Sequence, residues 1–526
     1  MKIQFGRVMR ALALNHRRRE AIVNVERNRR YNYWEFHLLS NRIAHVLSDT
    51  LGLGDGDKFM LILENDNLSL MMLPTVLKQR GTVVLTNLRD APEEHRWQVE
   101  LIKPRVVFLE TRMQDAYYDM LRALGCEIVV MDTPDAPLQP GVRAFWPLVE
   151  AASEAECTVE LDTSEHIFML RFTGGTTGRG KCAQYRIDNA LACSDGAMSN
   201  PELAFTARTR IVHVAPLSHG SQLLYYPTFF AGGTNLTLNQ LDLERWREVV
   251  ETERVTHSFL VPTILYRLLE LQRARPRDFS SLSTVLYGAA PMSPSKLSEL
   301  IDCFGPIFAQ GYAATEVMMI ISVLDKAEHR SDDTQALTRL ASAGRVMPGI
   351  EVFVTDADGH EVPPGTVGEI RIRCRGVIAG YHGNQEGTAA EFTDGAWKSG
   401  DLGYLDADGF LYIVDRIKDM IITGGFNVYA VEVEAALSAH PAVLLSAVVG
   451  VPHADWGEAV HAEVVLRAGA SVTAEELTAH AKSKLGGHKA PKSIILVESL
   501  PTSVVGKVLR RQVREKYWLA AQRKVS

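Results

Sequence analysis

The amino-acid sequence predicts an α/β fold: a large N-terminal domain with parallel sheets and a β-rich subdomain, followed by a small α+β C-terminal domain. Three observations support this prediction. The chain has 526 residues, which is more than one compact core usually holds. Strand-like and helix-like segments alternate through most of the chain, and after about residue 340 the pattern changes to shorter strands separated by turns.

The alternation is clearest between residues 105 and 131. Arg105–Leu109 and Glu127–Met131 are rich in β-branched residues, and the intervening Gln114–Leu124 is amphipathic. This order is typical of a βαβ unit. Strands joined in that way are parallel, and helices cover the faces of their sheet.

A second stretch has the same order. Arg210–Val214 and His257–Val261 have strand character, and Asp242–Thr252 has helical character. An aspartate is a favourable N-cap, because its carboxylate accepts hydrogen bonds from the first free N–H groups of a helix. We therefore expect this helix to begin directly after Asp242.

The β-rich subdomain is predicted at about residues 340–415. Gly349–Asp358 and Val367–Arg375 alternate apolar and polar residues and are bounded by turn-forming sequences. Short strands separated by turns favour antiparallel pairing.

The last part of the chain has its own pattern of helices and strands. Helices are predicted at Ala430–Ala439 and Ala474–Leu485, and strands at Val443–Val449 and Ser493–Glu498. About 100 residues suffice for an independent domain. We place the N-terminal domain at residues 1–417 and the C-terminal domain at residues 418–526.

Composition excludes several classes of protein. The formal net charge of -7 argues against a nucleic-acid-binding protein, which is usually basic. The six cysteines are scattered, so neither a disulfide framework nor a structural zinc site is expected. No signal peptide and no apolar run of transmembrane length is evident, and we expect a cytoplasmic protein.

The strongest local signal is the glycine-rich segment Thr173–Lys181, which follows the strand-like Ile167–Phe172. Its glycines allow the backbone N–H groups to point inward, and its hydroxyls and Lys181 add further donors. Such a loop suits a triphosphate. A Walker A motif matches from Gly175 to Lys181, but its last position, which requires Ser or Thr, is occupied by Cys182. A flexible surface turn is the third interpretation.

The loop resembles the phosphate loop of the adenylate-forming superfamily, which includes acyl- and aryl-CoA synthetases. The usual form is TSGTTGxPKG, whereas this chain has Gly174 for Ser, Gly180 for Pro and Cys182 for the last Gly. Seven further segments resemble motifs of this superfamily in the same order. They are Val214–His219, Tyr287–Met292, Gln310–Glu316, Trp397–Asp401, Asp415–Asp419, Gly424–Glu434 and Pro501–Val508.

The resemblance implies a set of nucleotide-binding residues. Thr315 would donate to the α-phosphate, Glu316 would hold Mg²⁺, and Lys507 is the implied catalytic lysine. Asp401 would accept hydrogen bonds from the ribose hydroxyls. The residues implied for ATP and AMP are Thr173, Gly174, Gly175, Thr176, Thr177, Gly178, Lys181, Gly288, Ala289, Ala290, Pro291, Gln310, Gly311, Tyr312, Asp401 and Arg416.

The resemblance also implies an acid pocket, which is mainly apolar or aromatic and therefore favours a fatty or aromatic monocarboxylate. His219 would gate this pocket and act in catalysis, and Ala313 replaces a common glycine. The implied pocket residues are His219, Tyr287, Gly288, Tyr312, Ala313 and Val317. Gly424, Gly425 and Phe426 would line a tunnel for coenzyme A, with Phe426 and Ala430 replacing the usual Glu and Pro, and Lys418 would be the hinge of a mobile C-terminal domain.

The resemblance thus implies an ATP- and Mg²⁺-dependent carboxylate–CoA ligase, with ATP, coenzyme A and a small carboxylic acid as partners and with a homodimer as a possible state. Four alternatives stay open. They are an acyl-AMP ligase that loads a carrier protein, an amino-acid adenylation domain, a P-loop kinase, and a non-catalytic protein that binds acyl groups or nucleotides. The first would usually carry an insertion between Gly344 and Glu369, where none is evident. The second would usually carry an aspartate near His219, where Gly220 and Ser221 stand.

Overall fold

The structure is a computed structural model that describes residues 1–65, 67–132, 137–173, 180–239, 241–330, 334–503 and 506–525. Five sheets are present in these residues. The helices that cover them are α1 Phe5–Asn15, α2 Tyr33–His45, α3 Leu68–Thr75, α4 Pro92–Ile102, α5 Gln114–Ala123, α6 Phe145–Ala151, α7 Ile187–Ser199, α8 Gln222–Phe230, α9 Leu243–Thr252, α10 Pro262–Ala274, α11 Pro294–Phe304, α12 Thr334–Arg339, α13 Gln385–Glu391, α14 Ala430–Ser438, α15 Ala474–Leu485 and α16 Arg510–Val525.

Two large sheets and a short pair of strands, β1 and β9, form the first part of the fold. In chain order their strands are β1 Lys2–Ile3, β2 Glu20–Asn24, β3 Arg29–Asn32, β4 Lys58–Ile62, β5 Thr82–Leu85, β6 Val106–Glu110, β7 Glu127–Met131, β8 Val142–Ala144, β9 Leu161–Asp162, β10 Ile167–Phe172, β11 Cys182–Arg186, β12 Arg210–His213, β13 Thr234–Thr237, β14 His257–Leu260, β15 Thr284–Gly288, β16 Phe308–Ala314, β17 Val317–Leu324 and β18 Arg345–Val346.

The seven-stranded sheet has the order β11-β10-β5-β4-β6-β7-β8. Its neighbours are parallel except β10 and β11, which are antiparallel and flank the glycine-rich loop. The predicted βαβ unit is confirmed, because β6, α5 and β7 follow one another and β6 pairs in parallel with β7.

The nine-stranded sheet has the order β18-β17-β16-β15-β14-β12-β13-β2-β3. The second predicted unit is also confirmed, since β12 pairs in parallel with β14 and α9 lies between them in the chain. Asp242 caps α9: its Oδ1 accepts from the backbone N–H groups of Glu244 at 2.9 Å and Arg245 at 3.0 Å. The prediction did not include α8 and β13, which are inserted between β12 and α9.

The third large sheet is antiparallel, as predicted for the β-rich subdomain. Its strands are β19 Ile350–Thr355, β20 Gly368–Cys374, β21 Phe392–Thr393, β22 Ala396–Leu405 and β23 Leu411–Arg416. β19 pairs with β20 over the full length of β19, and β22 joins β20 to β23.

The C-terminal sheet contains β24 Ile421–Thr423, β25 Phe426–Val428, β26 Val443–His453, β27 Gly457–Leu466 and β28 Ser493–Leu496. The predicted helices correspond to α14 and α15, and the predicted strands to β26 and β28. β27, which the prediction omitted, pairs with β26, β24 and β28 and is the centre of this sheet. Within the described residues, no helix is both long and apolar enough to cross a membrane.

Candidate active site

The two ends of the glycine-rich loop are joined by hydrogen bonds. Thr173 N donates to Lys181 O at 2.8 Å, and Lys181 N donates to Thr173 Oγ1 at 3.0 Å. A Cβ at Gly180 would lie 2.3 Å from Thr173 O, so this close approach requires glycine. The predicted residues Gly174, Gly175, Thr176, Thr177 and Gly178 lie outside the described residues.

The side chain of Lys181 forms an ion pair with Glu391 and lies 4.8 Å from the centre of the Tyr381 ring. The Tyr381 hydroxyl lies 2.6 Å from Glu391 Oε2 and 3.0 Å from Glu316 Oε1. The predicted phosphate-binding lysine and the predicted magnesium ligand are therefore connected through two residues that the sequence analysis missed. No local motif marks them, and Glu391 is 210 residues from Lys181 along the chain.

Glu316 lies in the tight connection between β16 and β17, where Ala314 pairs with Val317. Burial raises the pKa of Glu316, although the Tyr381 hydroxyl acts in the opposite direction. A half-buried carboxylate that faces a second carboxylate offers the hard oxygen ligands that Mg²⁺ prefers. The residues present thus fit a magnesium ion.

Three residues of the predicted nucleotide site meet between β16 and β22. The Tyr312 hydroxyl donates to Asp401 Oδ2 at 2.6 Å, and Arg416 Nε lies 3.3 Å from Asp401 Oδ1. Asp401 and Arg416 are directly opposite each other on β22 and β23. This geometry holds a buried carboxylate between a hydroxyl and a cation.

Lys507 belongs to the C-terminal part of the chain but lies among these residues. Its pKa is lowered to about 8, first by burial and then by the positive charges of Arg416 and Arg510. Asp401 and Asp419 act in the opposite direction. The lysine therefore faces the same cluster of charges as the predicted ribose-binding carboxylate.

The loop that carries Lys507 is held against the N-terminal part of the fold. Thr263 Oγ1, in the first turn of α10, donates to Gly506 O at 2.6 Å. Ser503 Oγ accepts from Lys507 N at 3.2 Å. Arg510 then fixes the start of α16, because it pairs with Asp415 at 3.2 Å and with Glu434 at 2.5 Å.

His219 is the predicted gate of the acid pocket. Its pKa is lowered to about 4, first by burial and then by the positive charge of Arg171. Arg171 is itself buried, and its Nη1 donates to His219 O at 3.2 Å and to Gln222 Oε1 at 3.1 Å. His219 is therefore neutral at physiological pH, and Arg171 is a further residue of this region that the sequence analysis missed.

The other predicted pocket residues lie in different environments. Tyr287 is fully buried among the side chains of α10 and α11, and its hydroxyl bonds Gln310 at 3.2 Å and His329 at 3.0 Å. Val317 is fully buried against the β-rich sheet. This packing gives no support to the assignment of Tyr287 and Val317 to a pocket wall, which remains a prediction, as it does for Ala313.

The segment Gly288–Pro291 contains one close backbone approach and one strained residue. A Cβ at Gly288 would lie 2.2 Å from Gly311 O, so the two strands approach closely there. Ala289 has φ +64°, which is unfavourable for a residue with a Cβ. Both features lie in the segment that the resemblance assigns to ATP and AMP binding, and that assignment remains a prediction.

A cavity of about 230 Å³ lies where the two large sheets meet. Leu61, Thr86 and Arg89 line it on one side, and Val214 and Leu217 line it on the other. Of the predicted site residues that the structure describes, none lines this cavity, although its wall includes Val214 and residues 216–218, which precede His219.

The predicted coenzyme A segment forms an exposed turn between β24 and β25. Gly424 and Gly425 have φ values of +56° and +83°, and the Gly424 N–H donates to Trp456 O at 3.0 Å. The Phe426 side chain is 59% exposed, and that of Trp456 is 42% exposed. Lys418 is exposed in the turn between β23 and β24, where the hinge is predicted.

Comparison with known proteins places these features in a family. The AMP-binding enzyme family matches residues 9–382, and the C-terminal domain of AMP-binding enzymes matches residues 432–507. A medium/long-chain-fatty-acid–CoA ligase, FadD8 of Mycobacterium tuberculosis, is 36% identical over 81% of this chain and 74% of its own length. A feruloyl-CoA synthase from an Amycolatopsis species is 37% identical over 67% of this chain and 70% of its own length.

Among solved structures, ATP-bound MatB from Rhodopseudomonas palustris has the same fold. Its TM-score is 0.87 with 28% sequence identity, and the match covers 98% of this chain and 99% of that protein. Almost the whole fold, including the C-terminal sheet, is therefore shared with an ATP-binding relative.

Proposed function

Because the chain belongs to the AMP-binding enzyme family, we propose that it is an AMP-forming carboxylate–CoA ligase that acts on an apolar fatty or aromatic acid. The first step joins the acid to the α-phosphate of ATP and releases pyrophosphate. The second step transfers the acyl group to the thiol of coenzyme A and releases AMP. The relatives described above are CoA ligases or synthases for a fatty acid and for an aromatic acid, which supports both steps.

One observation carries the proposal. Tyr312, Asp401, Arg416 and Lys507 come from three separate parts of the chain and form one cluster of polar and charged side chains. A protein that merely bound a nucleotide would gain little from a partly buried lysine there, because desolvation of an ammonium group is unfavourable and lowers its pKa. A lysine held beside a ribose-binding carboxylate suits a reaction at the adjacent α-phosphate.

The first step needs cations, because a carboxylate and a phosphate repel each other. Lys507 can stabilise the negative charge that develops on the transferring groups. Because its pKa is about 8, Lys507 is protonated in most molecules at pH 7. Magnesium, when held by Glu316, would neutralise charge on the phosphates. Displacement at phosphorus depends on positioning and electrostatics, so no side-chain nucleophile is required.

The acid pocket is proposed on the side of His219. A neutral imidazole makes this side of the site less polar than a charged one would, which favours an apolar acid. Ala313 adds a methyl group where relatives often have glycine, and it packs against the core that includes α8. These features support a fatty or aromatic acid without specifying its length.

The second step is proposed to use the C-terminal domain, residues 418–526, which would rotate about Lys418. In the present arrangement Lys507 faces the nucleotide cluster, and the Gly424–Phe426 turn faces solvent. Rotation would exchange these two surfaces. The exposed aromatic rings of Phe426, at the end of this turn, and of Trp456, beside it, support this proposal, because exposed aromatic groups suit a ligand that binds later.

Pyrophosphate release by the purified protein tests the proposal. Mg-ATP would be supplied with a panel of fatty, aryl and amino acids, each with and without coenzyme A. We expect release that depends on a fatty or aryl acid, is accelerated by coenzyme A, and yields AMP and a thioester. Release without an effect of coenzyme A would contradict the proposed acceptor, and ADP formation or no release with any acid would contradict the ligase itself.

A further inference from the structure

The cation at the end of the glycine-rich loop already has an anionic partner. Lys181 Nζ forms an ion pair with Glu391, the last residue of α13. The two side chains are 36% and 32% exposed, so solvent and solutes reach the pair. A contact of this kind contributes little net stability, because water competes for both charges.

Glu391 is also held from the other side. The Tyr381 hydroxyl lies within hydrogen-bonding distance of Glu391 and Glu316. A hydroxyl has one proton and donates to one acceptor at a time. The two carboxylates therefore share this hydroxyl, and Lys181 supplies the positive charge that compensates Glu391, with a smaller contribution from the Trp397 side chain.

This arrangement has a consequence for the nucleotide. A triphosphate bound by the loop brings several negative charges to Lys181, which has only one charge to offer. Glu391 and the phosphates would compete for the one positive charge of this ammonium group, and they would repel each other. Binding of ATP therefore weakens the contact between Glu391 and Lys181, and departure of pyrophosphate restores it.

We propose that Glu391 is an exchangeable counter-ion of Lys181, which competes with the phosphates of ATP for the lysine and thereby sets the affinity of the free enzyme for ATP. This inference rests on the proposed function, since it takes ATP as the ligand. A weak pair is suited to this role, because it satisfies the lysine without preventing a more highly charged ligand from binding. The same competition assists the departure of pyrophosphate.

Glu391→Gln separates competition from a structural role. Glutamine keeps the size of the side chain and an oxygen that accepts from Tyr381, but it removes the charge that pairs with Lys181. The matched control is Glu386→Gln, which removes an exposed charge from the first turn of the same helix. The second control is Glu391→Gln in a Lys181→Met background, where there is no ammonium group for Glu391 and the phosphates to compete for.

Isothermal titration calorimetry on the full chain with Mg-ATP, and separately with Mg-pyrophosphate, measures the affinities without acid or coenzyme A. We expect Glu391→Gln to bind ATP about two- to fivefold more tightly than the wild type, as for loss of a partly exposed competing ion pair. The affinity of Glu391→Gln for pyrophosphate should also increase, whereas both affinities of Glu386→Gln should equal those of the wild type. In the Lys181→Met background, Glu391→Gln should give no gain.

Three results would overturn the proposal. An unchanged or weaker ATP affinity in Glu391→Gln would assign Glu391 a structural or a ligand-binding role instead. An equal gain in the Lys181→Met background would indicate general repulsion by the carboxylate and not competition for the lysine. A folded wild-type protein that binds no ATP would refute the proposed function itself, and the three cases are distinguishable in one set of titrations.

Discussion

The Tyr312 hydroxyl donates to Asp401 Oδ2 at 2.6 Å, although the two residues are 89 positions apart in the chain. The other oxygen of Asp401 faces Arg416 at 3.3 Å. Each carboxylate oxygen has a second lone pair. Asp401 can therefore accept from two ribose hydroxyls while Tyr312 and Arg416 hold its plane fixed.

Tyr312→Phe should weaken both the fold and the nucleotide site. A hydrogen bond to a charged group contributes about 1.5–3 kcal/mol, and we expect a loss of about that size in the free energy of unfolding. Because Asp401 then loses one of its two fixed partners, the KM for ATP should rise several-fold. Urea denaturation and the pyrophosphate assay measure the two effects. Tyr404→Phe, in strand β22 with Asp401, is the control, and an unchanged stability of Tyr312→Phe would contradict this role of the hydroxyl.

Lys507→Ala should abolish adenylation but leave the second step intact. The lysine is proposed to stabilise charge only while the acid attacks the phosphate, so its loss should reduce acyl-AMP formation by at least about 100-fold, as for other groups that act electrostatically on a transition state. Thioester formation from preformed acyl-AMP and coenzyme A should proceed at the wild-type rate. Acyl-AMP formation at the wild-type rate in the variant would show that Lys507 has no catalytic role.

Adenylation should decline as the pH rises through about 8. The pKa of Lys507 is lowered to about 8, and the protonated form is the one that offsets negative charge. The cation is therefore fully present well below pH 8 and is lost above it. The rate of acyl-AMP formation, measured from pH 6 to 10, should therefore fall as the pH rises above about 8. Thioester formation from preformed acyl-AMP is the control and should not show this decline; if both steps decline together, another group is responsible.

Lys418→Pro should have the opposite effect to Lys507→Ala. Proline fixes φ near −65° and restricts the preceding residue, so the turn between β23 and β24 would rotate less freely. We expect adenylation close to the wild-type rate and a strongly reduced thioester output. Lys418→Ala removes the side chain without restricting the backbone and should keep both steps. A normal thioester output from Lys418→Pro would refute the hinge.

Phe426→Ala should raise the KM for coenzyme A and spare the first step. The ring is 59% exposed, so its removal should hardly change stability, whereas a ligand that packs on it would lose contact area. Acyl-AMP formation without coenzyme A should be unchanged. Ile422→Ala is the matched control, because this side chain is 52% exposed on the neighbouring strand β24. If both variants change the KM for coenzyme A equally, Phe426 does not contact coenzyme A as proposed.

Local patterns were sufficient for much of the fold. The βαβ unit formed by β6, α5 and β7, the cap at Asp242 and the bounds of α15 were all predicted, since periodicity and capping depend on residues close in the chain. The central strand β27 was missed. Its position depends on three partner strands that are distant in sequence, so no local signal distinguishes it.

The candidate site divides in the same way. Motif resemblance identified Asp401, Arg416 and Lys507, which the fold brings together. It did not identify Tyr381 and Glu391, because their significance depends on contacts with Glu316 and Lys181 and not on a local pattern. The glycine-rich loop from Gly174 to Gly178 lies outside the described residues, and its assignment remains a prediction.

The sequence by itself determined the α/β class, many of the individual helices and strands, and the family-like motifs, because each depends on short-range periodicity or on residue type at fixed spacing. Only the tertiary structure decided which charges face each other. The pairing of Lys181 with Glu391 and the approach of Lys507 to Asp401 join residues that are far apart in the chain. Such encounters follow from strand order and packing, and the strength of the resulting electrostatic effects follows from burial, which no local pattern specifies.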